Sequence, residues 1–173
     1  MPPHCDTMDG PVVKAAMMAI RNGNVKMVLP WIKKESEAEL EAAFKMTVQM
    51  RNLGNGSADF ADHWFYETAV RLHREGEGAA YSGLKPAGLD TGPVIPLAEG
   101  ALETGDASKV TEFLSRLVVC EVQRRFDLAI AKKGYDPNNV DAAREYVHAM
   151  LQFLLFSHHL YKFVETGAEH RAG

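Results

Sequence analysis

The chain has 173 residues, 46% of them hydrophobic and 24% charged, and its 19 basic and 23 acidic residues leave a net charge of −4. That make-up suits a globular chain with enough length for its own core, while two cysteines, Cys5 and Cys120, cannot build a disulfide framework or a zinc ribbon. No Lys/Arg run exceeds two and no apolar run approaches the roughly 18 residues that span a bilayer, so neither nucleic acid nor membrane is expected as a partner.

The elements read as helices with clear punctuation. Asp9-Gly10-Pro11 opens a first helix over 12–21, which Asn22-Gly23 closes. Asn24 can cap a short helix reaching Trp31, with Pro30 bending or ending it. Ser36 and Glu39 form a capping-box pattern for a helix to about Asn52, stopped at Gly54. Ser57 starts another that runs to Arg74 and ends at Gly76. A glycine-rich stretch, 76–92, contains Gly83-Leu84-Lys85-Pro86-Ala87-Gly88 and is either a functional segment or a linker. Beyond Pro93 the pattern predicts a helix over 106–133 with a bend near Ser115, a turn over 136–139, and a last helix over 140–164. Leu151-Gln152-Phe153-Leu154-Leu155-Phe156 is apolar around most of its circumference, which places that helix at the centre of a bundle. Strand signals are missing. The expected fold is all-α: a single helical domain of two halves, about 9–75 and 93–166, with 76–92 joining them and 167–173 as a frayed tail.

The halves share a pattern at a shift of 82 residues. Gly10-Pro11-Val12 returns as Gly92-Pro93-Val94, Ala16 as Ala98, Gly23 as Gly105, Phe44 as Phe126 and Asp59 as Asp141. The repeated Gly-Pro-Val start and glycine stop favour an internal duplication over the chance likeness of amphipathic helices.

Four places could carry chemistry. His4-Cys5-Asp6 sets an imidazole, a thiol and a carboxylate side by side ahead of a helix start, a donor set suited to a transition metal; the plain alternative is a terminal segment with a capping aspartate. Glu67 falls on the stripe of Phe60 and Trp64, and either pairs with Arg71 or, if buried, needs a cation, a metal or a proton. His73 and Glu77 stand at a helix end, where His73 can also answer the helix dipole. Tyr81 and Lys85 belong to the glycine-rich loop and could shape a pocket for an anion or substrate. Cys120, flanked by Val118, Val119 and Val122, reads as a small core residue. The Glu-x-x-His signature of di-iron bundles is missing.

Two resemblances bear on these residues. His4-Cys5-Asp6-Thr7-Met8-Asp9-Gly10-Pro11-Val12 resembles the opening of an uncharacterised family of bacterial helical proteins. The likeness continues through Phe65-Tyr66-Glu67-Thr68, Arg71, His73-Arg74, Gly76-Glu77-Gly78-Ala79, Tyr81 and the 83–88 loop, over nearly the whole chain. It implies a helical fold and no particular activity; many members carry a secretion signal ending just before the histidine. Here Met-Pro-Pro precedes His4 without the basic and apolar regions of such a signal, so a cytoplasmic protein is expected. Locally, His4-Cys5-Asp6 is similar to the nickel hook of nickel superoxide dismutases. That likeness implies a metal near His4 and Cys5, but the position of the hook's second cysteine is Asp9 here.

The leading expectation is a metal-binding helical bundle, a candidate redox metalloenzyme, with nickel, copper, iron or zinc held among His4, Cys5, Glu67, His73 and Glu77. Glu67, Tyr81 and Lys85 are the candidate catalytic residues. The rival readings are a non-catalytic interaction module that forms a homodimer, and a small-anion binder using the glycine-rich loop and Lys85.

Overall fold

The structure, a computed structural model, describes residues 4–54 and 56–167. The all-α expectation holds: the described residues form six α-helices and three 3-10 turns, and their only β pairing is an isolated parallel bridge between Thr7 and Lys85. The chain divides after Thr91 into two compact units.

In the first unit, helix α1 (Pro11–Asn22) starts at the Gly10 cap with Pro11 in its first turn, where a missing N–H costs nothing. It ends at Gly23, whose φ of 64° is a left-handed conformation that only glycine adopts freely. Val12, Val13, Ala16 and Ala19 are its buried stripe. The expected short second helix is instead a series of 3-10 turns, Val25–Met27, Leu29–Trp31 and Lys34–Ser36. Pro30 lacks the N–H that would continue an α-helix, and Asn24 accepts only from the Lys26 amide at 3.1 Å. Helix α2 (Glu37–Asn52) buries Leu40, Ala43 and Thr47; Ser36 ends the preceding turn and does not cap it through its side chain. Ser57 likewise makes no cap for helix α3 (Ala58–Gly76), its hydroxyl donating back to the Met50 carbonyl at 3.0 Å.

Helix α3 is the axis of this unit. It packs on both α1 and α2 and buries eight residues, among them Phe65, Val70 and Leu72. Phe65 meets Phe44 of α2 at 5.5 Å between ring centroids. The buried apolar cluster of the described residues lies wholly here.

The second unit contains α4 (Val94–Thr104), α5 (Ser108–Lys132) and α6 (Val140–Thr166). α5 runs through Ser115 as one unbroken helix. Helices α5 and α6 pack at Ala129 and Ala149, with Phe126 edge-on to Phe153 at 5.7 Å and Arg125 over the Phe156 ring at 4.4 Å. Asn139 caps α6 by accepting from the Ala142 amide at 3.0 Å. Two expectations fail here. Cys120 is exposed rather than core, because the α5 side chains that meet α6 are those of Arg125, Phe126 and Lys132. α6 is not the centre of a bundle: only Ala149 on it is buried, and most of its apolar residues face outward.

Gly10 has an ordinary φ of −74°, so its requirement is space: a Cβ there would sit on the His4 carbonyl oxygen and 3.0 Å from that of Thr7. Gly10→Ala should therefore destabilise the protein by about 2–3 kcal/mol in urea unfolding, because backbone must move. Gly23→Ala, with open space but a left-handed φ, should cost about 1 kcal/mol.

Candidate functional site

The segment ahead of α1 folds back on the 83–88 loop and is held there by main chain. Lys85 N–H donates to the Asp6 carbonyl (2.8 Å), and Met8 N–H donates to the Lys85 carbonyl (2.9 Å). Side chains complete the junction. The Lys85 ammonium lies 2.9 Å from the Asp6 carboxylate, whose side chain is only 4% exposed. Gly88 N–H donates to Asp9 (2.8 Å), and the Thr7 hydroxyl sits 2.7 Å from the other Asp9 oxygen and 2.9 Å from the His4 carbonyl. The Thr7 hydroxyl, foremost, and the Gly88 amide hold the Asp9 carboxyl below its usual range. Asp9 is thus engaged in this junction. Lys85 is engaged likewise, by Asp6 rather than by an open pocket.

Beneath this strap lies the end of α3. Cys5 is 2% exposed, and burial first, then the negative charges of Glu77 and Asp6, push its thiol up to about 11. Arg74 opposes the shift. His73, with its side chain 10% exposed, has Nδ1 2.8 Å from the Trp31 carbonyl. A carbonyl only accepts, so Nδ1 carries the proton and donates. Nε2, buried, then faces the Glu77 carboxylate at 3.4 Å. Nε2 makes no hydrogen bond there.

Of the residues singled out in the sequence, the fold pairs His73 with Glu77, whose charge also acts on the Cys5 thiol. Glu67 is elsewhere: six residues before His73, it is turned by roughly 120° around α3. It lies 3.7 Å from His63, both half-exposed, while Arg71 pairs with Glu39 and Glu75 instead. Glu67 lines a groove of about 380 Å³ with Trp64, Arg71 and Tyr81. The Tyr81 phenol is raised above its usual range, first by burial and then by Glu67. Among the described residues no three His, Cys, Asp or Glu side chains stand ready-arranged around one ion. Sequence reasoning missed Asp6 as the partner of Lys85 and the Trp31 carbonyl as the partner of His73; contacts across 79 and 42 residues leave no local trace.

Residues 9–156 match the Family of unknown function (DUF6448). The chain belongs to this family. The DUF6448 match includes the 83–88 loop, His73 and Glu77, and starts after His4 and Cys5. No curated protein and no solved structure matches the chain. No helix among the described residues is long and apolar enough to cross a membrane.

Breaking the Asp6–Lys85 pair by Lys85→Met should cost about 2 kcal/mol, because it leaves a carboxylate stranded out of water. Asp6→Asn with Lys85→Met should cost less than Lys85→Met alone, which a double-mutant cycle by urea unfolding measures. The Cys5 thiol gives a pH signature. Its proton is lost near 9.0 when unperturbed but near 11 in the folded chain. Between those values the unfolded chain binds fewer protons, so stability falls as pH rises through that window. Cys5→Ser should remove that part of the slope when urea midpoints are compared from pH 8 to 11.

Proposed function

We propose that the chain is a metal-binding helical protein whose site is built from Cys5, His73 and Glu77. One observation carries the reading: the Trp31 carbonyl fixes the His73 tautomer so that Nε2 presents its lone pair toward a carboxylate 3.4 Å away. A backbone carbonyl on the far nitrogen is the arrangement found behind metal-bound histidines. The buried Cys5 thiol beside Glu77 supplies a third donor, and a dication would reverse the charge balance that now keeps it protonated. Closing the shell needs Glu77, whose side chain is 32% exposed, to turn inward. Nickel, copper, iron and zinc all suit a thiolate–imidazole–carboxylate set, and a redox role would follow from one of the first three.

Of the rival readings, the small-anion site has less support, because the Lys85 ammonium already neutralises Asp6. The internal duplication remains part of the proposal: α1 and α4 start at residues 11 and 94, and α3 and α6 at 58 and 140, close to the 82-residue shift.

Untagged protein should contain near-stoichiometric metal by elemental analysis. Stripped protein given one of the four ions at about 100 times its Kd should gain about 2.7 kcal/mol, a Tm rise of roughly 5–10 °C. Cys5→Ser, His73→Asn and Glu77→Gln should each lose most of that shift, and Glu67→Gln should keep it. A Tm indifferent to all four ions would overturn the reading.

A further inference from the structure

The last helix carries two apolar stripes, and among the described residues only one has a partner. Ala149 and Phe153 face α5, through the buried methyl of Ala149 and the Phe126–Phe153 pair, and on the same side Tyr146 meets Tyr135 of the turn after α5 at 5.4 Å. On the opposite side Val140, Val147, Leu151, Leu154 and Tyr161 are between 42% and 56% exposed. With Arg144 and His158 they recur at alternating steps of four and three, which is the seam of a coiled coil rather than a scatter of surface residues. A depression of about 400 Å³ opens on this seam, lined by Val140, Ala143, Arg144, Val147, His148 and Leu151.

From this seam we infer that α6 pairs with α6 of a second copy of the chain, antiparallel about a two-fold axis between residues 152 and 153. The seam's own charges select that orientation. A parallel pair would set Arg144 against Arg144, His158 against His158 and Glu165 against Glu165, all at the contact. The antiparallel pair sets Leu151 against Leu154 of the other copy, Val147 against His158 and Arg144 against Tyr161. In the flanking positions it brings Asp141 beside Lys162. The depression answers the same geometry: Val140, Ala143, Arg144 and Val147 are the four residues of a hole, and the knob that meets it in the antiparallel register is Tyr161. A two-fold contact is self-complementary, so one stripe supplies both sides. The occupant is a second copy because one end of this helix complements its other end in charge and shape.

The test uses the full chain of 19.1 kDa. Sedimentation equilibrium at micromolar to hundred-micromolar concentrations should give twice that mass. Leu151→Glu with Leu154→Glu should halve it at unchanged far-UV circular dichroism. In a Cys120→Ser background, which removes the exposed thiol, Asp141→Cys protein mixed with Lys162→Cys protein should be joined by a short bismaleimide. Asp141→Cys protein alone should not. A monomer at every concentration would overturn the proposal, and so would cross-linking of Asp141→Cys to itself, which marks a parallel pair. Retention of the dimer by the double glutamate variant would place the contact elsewhere and overturn it as well.

Discussion

A carboxylate held almost wholly out of water needs a cation, and the first unit is arranged around meeting that need for Asp6. Lys85 supplies the charge, and the same lysine's backbone receives and returns hydrogen bonds from the strap. Charge and main chain thus fix one register between segments far apart in sequence. Cys5 is dry because the strap lies closed, and the strap lies closed because Asp6 is paired. The burial of Cys5 and its elevated thiol go with this one junction.

The junction recasts the most recognisable stretches of the chain. Asp6 and Lys85, which look like chemistry-bearing residues in the sequence, bind strap to loop, as does the Gly88–Asp9 bond that Thr7 supports from within the strap. Cys5, His73 and Glu77 lie outside those bonds; His73 and Glu77 meet as neighbours one turn apart on the sequence, while Cys5 feels the charge of Glu77 from far away along the chain. Local signals were legible where the causes are local. The Pro11 start, the Gly23 and Gly105 stops and the Asn139 cap all act within four residues of their effect. The failures share a cause as well. Pro30 turned an expected helix into 3-10 turns, and Ser36 and Ser57 gave up their capping roles to neighbouring structure. Which face of a long helix is covered cannot be read from a helix apolar all round, and so the exposure of Cys120 and of the α6 seam emerged only from the packing.

The two units solve stability differently. The first concentrates its buried residues around α3, with β-branched and aromatic side chains in contact on two sides. The second brings its long helices together at alanines, with aromatic pairs and an arginine–phenylalanine contact along the seam. Small residues at a crossing allow close approach but remove little apolar surface from water, so most of the apolar area of α5 and α6 stays outside the chain's own core.

The bond from Gly88 to Asp9 spans 79 residues, and this has a consequence for the order of events during synthesis. A growing chain delivers the strap first, yet nothing can hold it until the 83–88 loop has left the ribosome. Until then α1, α2 and α3 can form and dock through nearby contacts, while Cys5 and Asp6 stay in water with both their reactive groups accessible. Closure of the strap is therefore the last step in the first unit. Any group meant to reside beneath it has its widest path of entry in that interval, before the cover is laid.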